Sequence, residues 1–202
     1  MTRKALLAIP LVVGLAASAA HAAGALAMGA QMPMADVKMK GVDGKELTLT
    51  DVKKPAGTLV VFTCNHCPFA KMWETRIVEL GNTYAAKGIG VIAINANDPK
   101  VAEEDSFDVM QQRAKDRGIQ YPYVVDATSN LARAFGATKT PEAFLFDKDG
   151  KLVYHGAIDD NGQEPSKVEN AYLKNALEAV LMGRDVAVKE TKSIGCGIKF
   201  RS

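Results

Sequence analysis

The apolar run Leu59-Val60-Val61-Phe62 leads into Cys64-Asn65-His66-Cys67, and an amphipathic segment from Pro68 to Tyr84 follows. That order constrains the chain more than any other feature. The apolar run, over Thr58 to Thr63, predicts a buried strand. Residues near 68–87 predict a helix, with Phe69, Met72, Trp73, Ile77, Leu80 and Tyr84 on or near one face. Two thiols at such a junction are placed for dithiol–disulfide exchange.

The rest of the chain alternates in the same way. Val42-Asp43-Gly44-Lys45 punctuates two short strand-like runs and predicts a hairpin. Gly90 to Asn95 reads as a second buried strand, Ser106 to Arg117 as a helix and Tyr121 to Val125 as a strand. A short helix over Ser129 to Phe135 is stopped by Gly136. Ala143 to Phe146 and Leu152 to His155 flank the turn signal Asp147-Lys148-Asp149-Gly150, and Val168 to Leu181 closes the chain as a helix. Strands separated by helices, then a hairpin, then a helix, describe an α/β fold with a mixed sheet.

The first 22 residues read differently. Arg3 and Lys4 precede an almost wholly apolar stretch from Ala5 to Ala20, and Ala20-His21-Ala22 supplies a small-x-small site. This is the pattern of a secretory signal peptide, which sends the chain across an inner membrane to a periplasm. The expected layout is a leader at 1–22, a loose lead-in at 23–34, one domain at 35–183 and a tail at 184–202. Beyond the leader the basic and acidic residues balance, so no electrostatic footprint for nucleic acid is present. The expected product is soluble after cleavage, with no cofactor and no bound metal.

The cysteine pair fits redox work better than its alternatives. Structural zinc needs about four ligands, and Cys196, His66 and His155 are the only other soft candidates beyond the leader. A disulfide closing a two-residue gap removes little unfolded-state entropy, so a purely structural role is weak. Cys64 is expected to be the exposed sulfur, with N–H groups of the helix start favouring its thiolate. Cys67 is expected to lie deeper. His66 would add a donor or a positive charge beside the thiolate and push the couple toward oxidising behaviour. Pro68 suits a helix that begins at Cys67 but costs a bond if the helix begins at Cys64.

Val60 to Pro68, then Thr140-Pro141-Glu142 before Phe144-Leu145-Phe146-Asp147 and Asp149-Gly150, resembles the thioredoxin-like superfamily. More narrowly it is similar to the exported redoxin group of thiol-disulfide oxidoreductases, which are related to peroxiredoxins. The resemblance implies a central mixed sheet flanked by helices, an N-terminal hairpin and a helical insertion at 96–118. It implies that Cys64 is the nucleophile and Cys67 the resolving thiol, with a cis Pro141 facing the pair. The backbone of Thr140 would then pair with an extended substrate segment. Implied partners are protein thiols or disulfides, small thiols, or a membrane protein that delivers electrons.

The chain also departs from these relatives. Thr58 occupies the region where thioredoxins bury an acid that serves the resolving thiol. The peroxiredoxin pattern Pro-x-x-x-Thr-x-x-Cys is not met: Thr63 adjoins Cys64, lies four residues before Cys67, and lacks the matching proline. A thiol peroxidase is therefore an alternative reading, and a copper-handling chaperone using Cys64, Cys67 and His66 or His155 is another. The methionines at 28, 32, 34 and 39 are soft enough for Cu(I), but their spacing is irregular. Cys196 is left without a partner in a Gly-rich tail, and such a tail can reach back to Cys64 as a third redox thiol.

Overall fold

The computed structural model describes residues 24–202, so the leader lies outside the described residues. Chain order runs β1 (Met39–Gly41), β2 (Glu46–Leu47), α1 (Leu49–Val52), β3 (Gly57–Phe62), α2 (Pro68–Ala86) and β4 (Ile89–Asn95). Then come α3 (Phe107–Asp116), β5 (Tyr123–Val125), α4 (Asn130–Phe135), β6 (Lys139–Thr140), β7 (Glu142–Phe146), β8 (Leu152–Gly156), α5 (Tyr172–Leu181) and β9 (Cys196–Gly197). Seven strands form one mixed sheet in the order β2-β1-β5-β4-β3-β7-β8. Strands β3, β4 and β5 are parallel; β1 and β7 run antiparallel to their neighbours in that trio. This is the thioredoxin-like arrangement that the sequence resemblance implies.

The apolar runs are continuous because both faces of the central strands are covered. Period-two alternation sends Leu59 and Val61 of β3 to one core, with Trp73, Ile77 and Tyr84 of α2, Met110 of α3 and Leu173 and Leu177 of α5. Val60 and Phe62 go to the other core, with Leu49 of α1 and Leu131 and Phe135 of α4. In that second core Phe62, Phe135, Phe144 and Phe146 meet edge to face, with centroids 5.2–5.9 Å apart.

Local signals explain the element ends. Thr48 and Asp51 close a capping box on α1, with Thr48 N–H donating to Asp51 Oδ2 at 2.8 Å and Asp51 N–H to Thr48 Oγ1 at 3.1 Å. Helix α2 takes Cys67 as its N-cap and Pro68 as its first residue, which settles the helix start left open by the sequence. Gly136, at φ 66°, ends α4 in the left-handed conformation, and a side chain there would collide with the backbone of Gly24 and Ala25.

Several expectations need correction. Phe69 and Met72 are exposed, and the buried face of α2 is instead Ala70, Trp73, Ile77, Val78, Gly81 and Tyr84. Helix α5 begins at Tyr172 rather than Val168, because a 3₁₀ turn over Pro165–Lys167 precedes it. The lead-in is docked: Gly29 N–H donates to Leu152 O, Leu152 N–H to Ala30 O, and Leu26 and Met32 are buried. Met32 and Met39 fill the second core, which accounts for them without copper. The tail is docked as well, since β9 forms a two-stranded sheet with β6 and Ile198 is buried.

Candidate active site

Cys64 and Cys67 lie in the loop and the first turn that join β3 to α2. This placement follows from the buried strand, which fixes the end of β3, and from Pro68, which fixes the start of α2. Facing them is the loop before β7, where the Thr140–Pro141 bond is cis. Thr140 touches both sulfurs: its Oγ1 is 3.1 Å from Cys64 Sγ, and its carbonyl accepts from Cys67 Sγ at 3.3 Å. Of the predicted site residues, Cys64, His66, Cys67, Thr140, Pro141 and Cys196 therefore fall together, whereas His155 does not. Its Nε2 is tied to Glu142 Oε1 at 2.6 Å and its ring stacks on Phe144.

The thiols differ from expectation in their burial. Cys64 is not open: it is 4% exposed and Cys67 is 0% exposed, while Cys196 is half-buried. The two thiols also share a proton, which lowers the Cys67 pKa to about 4, chiefly because the Cys64 thiol donates to it, against a burial penalty. The Cys196 thiol and the main-chain N–H groups of Ala70 and Cys196 add further donors to the same sulfur. Cys64 moves the other way. Sharing its proton with Cys67 is the first cause, followed by burial, and the negative charge of Asp105 adds to the rise. The Thr140 hydroxyl and the Cys67 N–H oppose that rise. We take the pair as holding one proton between two sulfurs, with the anion at the N-terminus of α2.

A buried polar network beside the pair went unseen in the sequence. Asp105, 1% exposed, sits on a 3₁₀ turn (Glu103–Asp105) of the insertion between β4 and β5. It accepts from Asn65 N–H at 2.6 Å, His66 Nδ1 at 2.7 Å, Asn97 Nδ2 at 2.8 Å and Asn95 Nδ2 at 3.0 Å. The Asn65 side chain in turn donates to Glu104 O and accepts from the Tyr123 hydroxyl. The residues between the cysteines are thus clamped from the insertion side. On the opposite side Glu142 accepts from the N–H groups of Thr138 and Lys139 and fixes the loop that carries Thr140.

In sequence these partners gave little signal. Glu103-Glu104-Asp105 reads as an exposed acidic run, and nothing local marks Asp105 as the buried member. The alternation Asn95-x-Asn97 at the end of a buried strand was the one available hint, since polar residues there must find partners.

Cys64, His66 and Asp105 bring three ligand-type atoms within 4.8 Å of one another. The Asp105 oxygens are already committed to four N–H donors, which makes the cluster a hydrogen-bond network rather than a cage for a soft ion.

A paired-sulfur site at a strand–helix junction, opposite a cis-proline loop on a mixed sheet, defines a thioredoxin-like redox protein. Residues 28–155 match the AhpC/TSA family model, and the chain belongs to that family. Among curated proteins it is similar to the thiol-disulfide oxidoreductase ResA of Geobacillus thermodenitrificans, 28% identical over 128 residues, covering 63% of this chain and 68% of that protein. Among solved structures it is similar to a hypothetical protein of Sinorhizobium meliloti 1021, at 34% identity and TM-score 0.81, covering 89% of this chain and 97% of that one. An uncharacterised conserved protein of Geobacillus kaustophilus is 40% identical with TM-score 0.81, covering 87% and 93%.

Proposed function

We infer that this protein is a thiol-disulfide oxidoreductase, and that it works by cycling Cys64 and Cys67 between dithiol and disulfide. The observation that carries this reading is the contact of both sulfurs with Thr140 at the strand–helix junction. Cys64 Sγ lies 3.1 Å from Thr140 Oγ1 and Cys67 Sγ 3.3 Å from the Thr140 carbonyl, and the proton shared between the two thiols lowers the Cys67 pKa, which favours a nucleophilic thiolate in the pair. In the reductive half-cycle a thiolate of the pair attacks a substrate disulfide and forms a mixed disulfide, releasing one substrate thiolate. The second cysteine then attacks its partner's sulfur, closes the 64–67 disulfide and releases the other substrate thiol. Thr140 and Pro141 position the pair, and His66 is held by Asp105 as a positioning residue beside Cys64.

Sequence similarity to ResA supports exchange with protein thiols or a membrane redox partner. The leader-like pattern of residues 1–22 supports work in the periplasm. No contact in the site favours the peroxidase or copper readings over exchange.

The test is equilibration with glutathione buffers, alkylation and peptide mapping in the C196S variant. A 64–67 disulfide is expected, with a potential between about −270 and about −120 mV because the anionic sulfur stabilises the reduced form. A pair that forms no such disulfide at any poise refutes the reading.

A further inference from the structure

The strand β9 lies where the exchange reading places a substrate. Thr140, whose hydroxyl borders Cys64 and whose carbonyl borders Cys67, is already paired: its partner in the β6–β9 ladder is Cys196, with Lys139 opposite Gly197. Ile198 N–H donates to Thr138 O at 3.0 Å and extends the contact. The close approach requires glycine at 195, since a Cβ there would collide with the Thr140 carbonyl and its carbon. Further along, Lys199 N–H donates to Asn97 Oδ1 at 2.7 Å and Asp98 N–H to Lys199 O at 2.7 Å. Arg201 N–H reaches Ser129 Oγ at 2.9 Å. The tail is thus an ordered strand laid across the active site by its own hydrogen bonds.

The ladder brings a third sulfur to the start of α2. Cys196 packs against Cys64, Cys67 and Ala70. Its thiol and its main-chain N–H lower the pKa of Cys67. The reach-back expected from the sequence was toward Cys64; Cys196 packs against the cluster that holds both sulfurs, and its influence falls on Cys67. Cys196 is also the one sulfur of the three that is not buried.

We propose that Cys196 is a third redox thiol of this protein, which takes over the disulfide from the buried pair by forming a Cys67–Cys196 bond. The proposal rests on the exchange function assigned to Cys64 and Cys67. The Cys196 thiolate attacks Cys67 Sγ of the 64–67 disulfide. The 67–196 bond forms, the 64–67 bond breaks, and Cys64 leaves as a thiolate that takes up the proton given by Cys196. One disulfide and one thiol stand on each side, so no external oxidant or reductant enters this step. An external thiol, which the exchange cycle already uses, then attacks the more exposed Cys196 sulfur. The oxidising equivalent of two buried cysteines thereby reaches the surface without the pair being uncovered.

The experiment uses the full mature chain with Cys64→Ser, oxidised in 1:1 glutathione near about 1 mM, then acid-quenched, alkylated and peptide-mapped; tethering at millimolar or higher effective concentration favours the internal bond. The expected product is the Cys67–Cys196 disulfide, at about tenfold or more over glutathione-capped Cys67 and Cys196. Capped or free cysteines without the 67–196 peptide overturn the proposal. Gly195→Val, in the otherwise wild-type chain, guards against a folding artefact in the first variant. It is expected to lose the 67–196 peptide that the wild-type chain shows while keeping 64–67. A 67–196 yield undiminished by that substitution overturns the assignment of the strand as the device that delivers Cys196. A chain lacking a 64–67 bond in C196S defeats the exchange reading itself, and C64S still reports separately on the third thiol.

Discussion

Replacing Asp105 by Asn makes the reduction potential of the Cys64–Cys67 couple less negative. The carboxylate is a buried negative charge beside Cys64, and it raises the cost of a thiolate there. The ligand-type atoms of Cys64, His66 and Asp105 lie within 4.8 Å of one another. At an effective dielectric of about 20, two unit charges at that spacing repel by about 3.5 kcal/mol. Removing the carboxylate charge stabilises a thiolate and hence the reduced protein. With about 30 mV equal to about 1.4 kcal/mol in a two-electron couple, the ceiling is about 75 mV upward. The thiolate rests mainly on Cys67, farther along the pair, so the expected shift is about 20–50 mV upward. Asn is chosen over Ala for a structural reason. Ala would leave the Asn65 N–H and the amides of Asn95 and Asn97 without an acceptor. At about 1–3 kcal/mol for each buried orphan, that loss rivals the whole stability of a domain. The assay is glutathione equilibration at pH 7 with alkylation trapping, alongside a thermal melt to verify that D105N is folded. A folded variant whose potential moves by less than about 10 mV, or moves downward, refutes the assignment of Asp105 as a charge that tunes the pair.

Four shorter predictions accompany it. Because the Cys67 pKa is lowered to about 4 and the Cys64 pKa is raised, reduction takes up one proton at pH values above about 4. The potential should then fall by about 30 mV per pH unit from pH 5 to 8, not about 59; a slope near 59 across that range refutes the shared-proton description. The same depressed pKa makes the reduced protein gain stability over the oxidised one as pH rises from 4 toward 9, and lose that advantage as pH falls through 4. Paired denaturant titrations of the two redox forms read this out. Glu142→Gln turns an amide toward the N–H groups of Thr138 and Lys139 or toward His155, and should cost about 1–3 kcal/mol in denaturant unfolding while loosening the β6–β9 contact. Phe135→Ala opens a cavity among four packed rings and should cost about 3–5 kcal/mol, lowering the melting temperature by about 10 °C.

The fold was readable because its signals are local. Leu59 to Phe62 and Gly90 to Asn95 are long apolar runs, Pro68 marks a helix start, and Asp149-Gly150 marks a hairpin. The cysteine pair stood out for the same reason, since Cys64 and Cys67 lie a few residues apart, whereas the Thr140-Pro141 step drew its meaning from the family resemblance. The surroundings were not. Asp105 is 39 residues from its partner His66, and only the crossover of the insertion over the end of β4 joins them. Phe69 and Met72 misled because they sit at apolar spacing on a helix whose buried face at that end is carried by Ala70 and Trp73. The tail misled differently: glycine at 195 and 197 suggests flexibility, whereas glycine at 195 is what admits a second backbone against Thr140.

These contacts assign the tuning of the site to segments outside the cysteine motif. A two-residue gap between cysteines fixes only that a disulfide can close. Whether the thiolate is favoured depends on what donates to it and what charge lies near it. Here the donors come from the start of α2 and from the tail, and the opposing charge comes from the insertion. Substitutions at Asn65 would act through the Asp105 clamp more than through the sulfurs, because its N–H and side chain are both spent on the insertion and on Tyr123. Substitutions in the tail would act on Cys67 directly, because Cys196 supplies two of its donors. The insertion and the tail therefore push the couple in opposite directions. The carboxylate disfavours a thiolate on Cys64 and the strand favours one on Cys67, so a chain that kept the cysteine motif and lost either segment would carry the same disulfide at a different potential.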